Sequence, residues 1–161
     1  MVQIIAHTLV TAGHDVLILK RNQFERGRPN VDASYWDLPG GCVLANELPQ
    51  VAAKRECWEE TGLKVQTERV IWEDSTFDKA KNQVYTRLVY STQAFVTRTA
   101  INLELTEHMA FLWMKPELIL TNIRIVSYLR TCLDTLTFDL ILVKLDQKQG
   151  FLIHEKLCTP L

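Results

Sequence analysis

Gly41-Cys42-Val43-Leu44-Ala45-Asn46-Glu47-Leu48-Pro49-Gln50-Val51-Ala52-Ala53-Lys54-Arg55-Glu56-Cys57-Trp58-Glu59-Glu60-Thr61-Gly62-Leu63 is a glycine-led loop that runs into a helix. Asn46 is a good N-cap, Glu47 suits the first turn, and Pro49 is tolerated there. Val51 to Glu60 are mostly strong helix formers, and Gly62 is a natural stop. The spacing predicts a helix over 47–61. On it, Glu56 and Glu60 are four residues apart and Glu56 and Glu59 three apart, so the three carboxylates share one face. Arg55 and Glu59 make one compensating pair, which leaves two acids uncompensated. A Glu-rich helix face is by itself ordinary solvated surface. Here Ala52 and Ala53, one turn earlier, leave room for a bulky ligand. Gly40 and Gly41 let the backbone come close and present carbonyl oxygens. Hard cations such as Mg²⁺ take carboxylate and carbonyl oxygens and bind substrate phosphates alongside.

The flanking sequence is strand-rich. Val2–Val10 and Val16–Lys20 are β-branched and apolar, and Ala12-Gly13-His14-Asp15 between them predicts a hairpin. Residues 22–34 have no period and read as a loop. Tyr35-Trp36-Asp37-Leu38 leads into Pro39-Gly40-Gly41. Leu63–Glu73 and Val84–Thr97 are further strands, joined by a polar connection over 74–83. Phe111–Met114 is another strand, and Pro116 fits a helix start. Ile125, Val126, Leu129, Cys132 and Leu133 recur at three and four, predicting an amphipathic helix over about 122–134. Phe138–Leu145 and Phe151–Lys156 flank a polar turn and read as a C-terminal hairpin. The order predicts an α+β fold with a mixed sheet between helices.

Composition narrows the function. The chain has 161 residues, 47% apolar and 23% charged, which suits one ordinary soluble domain. With 18 Lys+Arg against 19 Asp+Glu it lacks the basic footprint of a nucleic-acid binder. No apolar run is long enough to span a bilayer. The N-terminus lacks a signal pattern, so a cytoplasmic location is expected. Cys42, Cys57, Cys132 and Cys158 form no C-x-x-C motif and are expected as reduced thiols. His7, His14, His108 and His154 show no ligand spacing.

The pattern Gly41-x5-Glu47-x7-Arg55-Glu56-Cys57-x-Glu59-Glu60-x-Gly62-Leu63 matches every fixed position of the Nudix box. Only Cys57 is off type, at a position usually aliphatic. The chain therefore resembles the Nudix hydrolases, and its small size and short connections resemble the MutT-like members. The resemblance implies an α/β/α sandwich over 1–135, with 136–161 as a C-terminal hairpin extension of the same domain. It implies hydrolysis of a nucleoside diphosphate linked to another moiety, with Mg²⁺ or Mn²⁺. A nucleoside triphosphate cleaved to monophosphate and pyrophosphate is the leading expectation. ADP-ribose and dinucleoside polyphosphates are alternatives. Two rivals are a non-catalytic nucleotide sensor, disfavoured by the intact box, and isoprenyl diphosphate isomerisation, suggested only by Cys42.

Carried over residue by residue, Glu56, Glu60 and the Gly40 carbonyl would be metal ligands. Glu59 would bind metal directly or through water, or deprotonate the attacking water. Arg55 would orient the carboxylates, Glu47 would serve metal, substrate or helix-loop structure, and Gly41 would admit substrate. Glu107, in the polar stretch ahead of Trp113, is a second candidate base. Arg21 resembles a strand-end residue that reaches substrate, and Arg26 and Arg28 could cover phosphates. Asn122 reads either as a helix N-cap or as a reader of a purine edge. Tyr35, Trp36, Phe77 and Phe111 are candidates for base stacking or for core. The expected partner is a nucleotide, with no nucleic-acid polymer and no membrane. The edge strands of the hairpin leave pairing with a second copy open.

Overall fold

The computed structural model describes residues 2–25, 27–93 and 101–137. The predicted C-terminal hairpin, Cys158 and Arg26 lie outside them. Two sheets form the centre. The first is ordered β7 (Gly40–Cys42), β1 (Val2–Leu9), β9 (Gln83–Gln93), β8 (Gln66–Asp78). It is mixed, with β1 parallel to β9 and antiparallel to β7. The second has β3 (Asp15–Arg21) between β10 (His108–Met114) and β2 (Thr11–Ala12), and the short β6 (Trp36–Asp37) also pairs with β3. A small ribbon joins β4 (Phe24–Glu25) to β5 (Arg28–Pro29). The helices are α1 (Pro49–Thr61), α2 (Pro116–Asn122) and α3 (127–137).

The alternation of β3 explains the layering. Val16 and Ile18 point to one side, into a core with Leu38, Ile119, Leu129 and Leu133. Leu17 and Leu19 point to the other, onto Cys57, Leu63 and Val65. Strand residues of alternate parity face opposite layers, so this apolar run serves α1 on one side and α2 and α3 on the other. Ala52 and Ala53 let α1 close onto Ala6 and Tyr90 of the first sheet. Leu17, Ile18 and Leu19 are fully buried, each contributing about 1.5–3 kcal/mol. The result is the expected α/β/α sandwich.

Several boundaries differ from expectation. The N-terminal segment is one strand in each sheet rather than a simple hairpin. β1 stays in the first sheet, and only β2 turns back onto β3, through Gly13 at φ +66°. The connection read at 74–83 is shorter, because Asp74 to Asp78 remain paired with Arg87 to Gln83. Polar side chains on a half-exposed strand hide it from apolar pattern reading. The helix predicted at 122–134 is two helices, α2 and α3, separated where Trp36 exchanges backbone hydrogen bonds with Arg124 and Val126. α1 starts at Pro49, with Leu48 in the cap position and no side-chain cap. Asn46 is not the N-cap; it takes φ +63° in the loop before the helix. Gly62 ends α1 as expected, at φ +71° with its N–H on the Trp58 carbonyl.

Candidate active site

The C-terminal half of α1 faces a cleft of about 880 Å³ whose wall includes Gly40, Gly41, Arg55, Glu56, Glu59 and Glu60. Glu60 is buried at 4% exposure. Its Oε2 accepts the Gly40 N–H at 2.8 Å, and its Oε1 lies 2.8 Å from His108 Nε2. Burial dominates both contacts and pushes the carboxyl up to about 7. Burial also raises Glu56, while Arg55 pulls it partway back.

Arg55 is the hub of the acidic face. Its guanidinium donates to both oxygens of Glu47 (2.8 and 2.9 Å), to Glu56 Oε1 (2.7 Å) and to Glu59 Oε2 (2.9 Å). It also reaches the Cys42 carbonyl at 3.2 Å. A planar fork with five N–H donors can serve all five of these acceptors at once, which the three donors of a lysine cannot. Glu47 is thus not a first-turn residue of α1. It lies in the preceding loop, accepts the Leu44 N–H, and is held down to about 2, chiefly by Arg55.

Glu107 arrives from a distant part of the chain. Asn102 and Glu104 donate their N–H groups to the carbonyls of Thr61 and Glu60, so residues 102–104 cap the end of α1. Asn22 then bonds the Glu107 carbonyl at 2.9 Å, and β10 begins opposite Arg21. Glu60, Glu107 and His108 offer ligand atoms that all lie within 4.8 Å of one another. Two carboxyl groups brought this close, one from α1 and one from the turn ahead of β10, with an imidazole beside them, fit a divalent cation. Gly41 fits the same reading, since a Cβ there would meet the Glu56 carboxylate at 2.6 Å.

Arg21 ends β3 in the same cleft, bonded to Asp37 at 3.0 Å and to Asn30 at 2.8 Å. Asn122 is elsewhere. It closes α2, is exposed, and is not on the cleft wall, so it neither caps α3 nor joins the other candidates. Phe77 and Phe111 are on exposed strand faces, and Tyr35 and Trp36 pack on the core. Arg28 lies in β5. Cys57 and Cys132 are buried thiols and Cys42 is exposed.

Four residues of the site are not signalled by the sequence: His108 and His7, which show no ligand spacing there, and Asp37 and Tyr128. Each gains meaning only from register. His108 stands opposite Arg21, His7 opposite Gly40, and Tyr128 reaches both His7 and Asp37.

A sequence model of the NUDIX domain matches residues 1–132. A stretch of 39 residues is 41% identical to a MutT-like protein of Streptomyces ambofaciens, covering 24% of this chain and 25% of that protein. A stretch of 63 residues is 40% identical to a protein of Mycobacterium tuberculosis described as a putative 8-oxo-dGTP diphosphatase 2, covering 39% of this chain and 41% of that one. The crystal structure of a MutT protein from Methanosarcina mazei Go1 superposes with a TM-score of 0.73 at 24% identity, over 86% of this chain and 94% of the other, a likeness of fold. The matched domain spans most of the chain and contains the whole acidic cleft, and on that ground the chain belongs to the NUDIX family.

Proposed function

We propose that this protein is a divalent-cation-dependent nucleotide pyrophosphohydrolase that cleaves a nucleoside triphosphate to the monophosphate and pyrophosphate. The observation that carries the reading is the buried Glu60, set beside Glu56 and Glu107 at the mouth of a cleft large enough for a nucleotide. Three acids gathered there repel one another and one of them is desolvated, an arrangement that a cation relieves.

Glu56, Glu60 and Glu107 would hold the cation, with Glu59 at the exposed side. A divalent cation in such a site neutralises phosphate charge and lowers the pKa of a bound water. The chain's own groups do the rest. Arg55 fixes the orientation of Glu56 and Glu59. Gly41 leaves space for substrate beside Glu56. Glu107 is the base that takes a proton from the attacking water, since it lies in the cluster with Glu60, while Glu59 is half-exposed and spends one oxygen on Arg55. Water oxygen bonds to phosphorus, one anhydride P–O bond breaks, and pyrophosphate leaves. Arg21 supports the far end of the substrate.

The test is pyrophosphate release from nucleoside triphosphates with Mg²⁺ or Mn²⁺, with ADP-ribose and dinucleoside polyphosphates in parallel. Release from a triphosphate, lost on chelation and in Glu56→Gln, is the expected result. Turnover that survives both would overturn the reading, and turnover of ADP-ribose alone would overturn the triphosphate assignment.

A further inference from the structure

The arginines on the cleft wall differ in how far their donors are committed. Arg55 gives its donors to Glu47, Glu56, Glu59 and the Cys42 carbonyl, and Arg21 bonds Asp37 and Asn30. Arg87, in the middle of β9, lines the same cleft. Its guanidinium carbon stands 5.4 Å from the centre of the buried Tyr128 ring, and Nη1 makes a long bond of 3.4 Å to Thr76 Oγ1. Among the described residues no carboxylate forms an ion pair with it, although Asp74 is its register neighbour on β8. Nε and Nη2 have no hydrogen-bond partner among the described residues. Neither is an enclosed orphan, in contrast to Arg21 Nε. Arg87 is half-buried, so these two donors open on the cleft.

Register sets Arg87 apart from the carboxylates. Cys42, Ile5 and Arg87 form one row across β7, β1 and β9. Neighbouring strands lie about 4.8 Å apart, which puts the Arg87 backbone about 10 Å from β7. Gly40 and Gly41 of β7 lie against Glu60 and Glu56. A cation and the scissile phosphates held at those acids leave Arg87 beside the rest of the nucleotide. The wall around it is apolar: Ile5 is its neighbour on β1, and Leu38 and Val126 pack with Tyr128 in one cluster. An apolar wall with one placed group of donors suits a flat base better than a hydrated phosphate. Arginine can only donate, and its fork matches the acceptor atoms of a base edge, as guanine O6 and N7 present them.

Building on the nucleotide reading above, we propose that Arg87 is a specificity residue that donates hydrogen bonds to the exocyclic oxygen of an oxo base, so that the substrate is a guanine-, hypoxanthine- or uracil-type nucleotide rather than an adenine or cytosine one. An exocyclic amine at that point turns its own hydrogens toward the guanidinium and is rejected. The Tyr128 ring, packed between His7 and Trp72, limits where the fork can turn. Sites built to bond a polar group reject analogues lacking it far more strongly than apolar pockets do.

Inosine triphosphate and ATP differ by oxygen against amine at one ring position, and UTP and CTP differ likewise. The experiment measures kcat and KM for these four with the intact protein and with Arg87→Met, which keeps an apolar stem against Tyr128. The expected result is at least a tenfold preference for the oxo member of one pair, carried mainly by KM and reduced to under threefold in Arg87→Met. Inorganic tripolyphosphate, a competitor without a base, should inhibit both proteins equally. A competitor tenfold weaker on the variant would place Arg87 on phosphate and overturn the proposal, as would an absent or unchanged preference. A second readout uses the intact protein and needs no turnover. The Nε–Hε resonance of Arg87 should move more with IMP than with AMP, or more with UMP than with CMP, none of which has an anhydride to cleave. Equal movement within both pairs, or none with any of the four at saturation, refutes it. If no nucleotide is hydrolysed, the catalytic reading fails while this titration still decides the role of Arg87.

Discussion

Glu60 Oε1 lies 2.8 Å from His108 Nε2, in a pocket where both side chains are almost wholly enclosed. The contact favours the charged carboxylate, yet burial outweighs it, and the group rises from an ordinary 4.5 to about 7. Between those values the cation-free folded protein holds a proton that the unfolded chain has lost. Stability from this group is therefore complete below pH 4.5 and is lost as pH rises through 7. A shift of this size corresponds to roughly 3 kcal/mol. In EDTA, Glu60→Gln should match the wild type near pH 5 and exceed it by on the order of 2–3 kcal/mol at pH 8 in urea unfolding. Mn²⁺ should then raise the melting temperature of the wild type and leave the Gln variant unmoved. A Gln variant less stable than wild type at pH 8 would show that burial of the charge is not the governing cost.

The two glycines ahead of α1 should respond oppositely to alanine. At Gly40, φ is +153° and a Cβ would meet the Ala6 carbonyl oxygen at 2.5 Å and the His7 Cα at 2.6 Å. Those atoms belong to β1 and cannot swing away. At Gly41 the obstacle is the flexible end of Glu56, at 2.6–2.8 Å. Gly40→Ala should cost about 3 kcal/mol or more, since it combines overpacking with backbone strain. Gly41→Ala should stay within about 1 kcal/mol of wild type while losing tenfold or more in kcat/KM, because Glu56 must turn aside. Thermal unfolding and steady-state kinetics on the pair separate the two effects; equal melting temperatures would contradict the distinction.

The same contrast explains what the sequence could and could not reveal. Spacing along α1 is local, so the shared face of Glu56, Glu59 and Glu60 follows from helical period alone. The run Val16 to Leu19 likewise announces a strand buried on both faces. What sequence order hides is register. Nothing near His108 says that it will stand over Glu60, because a bulge between His108 and Ala110 shifts the pairing of β10 with β3. His7 and Tyr128 are 121 positions apart and meet only after the first sheet and α3 are packed. Asn46 was legible as a cap by residue type, yet Pro49 set the helix start, and its fixed φ prevailed over the capping preference.

Arg55 supports the acidic face through geometry as much as charge. Its fork serves Glu47 with two bonds and Glu56 and Glu59 with one each, at 2.7–2.9 Å. Lysine keeps the charge and loses the fork, so Arg55→Lys should cost about 1–2 kcal/mol, the guanidinium being partly solvated. Glu47 is held at about 2 against an ordinary 4.5, so its contribution is present above pH 4.5 and is lost as pH falls through 2. The wild-type advantage over Arg55→Lys should therefore narrow across that window in acid titrations followed by circular dichroism. A gap that persists at pH 2 would place the effect in packing instead.

Glu107 and Glu59 compete for the role of base, and their surroundings separate them. The Glu59 side chain is 48% exposed, and one of its oxygens is committed to Arg55 at 2.9 Å. Its loss should be softened by solvent. Glu107 is half-buried, its backbone is fixed by the Asn22 N–H, and it shares a 4.8 Å cluster with Glu60 and His108. A positioned base contributes roughly 10² to 10⁴ in rate. Glu107→Gln should lower kcat by that range with little change in KM. Glu59→Gln should lower kcat by less than about tenfold, because a group that only assists binding does not carry the proton transfer. If the two variants exchange these phenotypes, the proton goes to the solvent-facing side of α1, and Glu107 is left with cation binding alone.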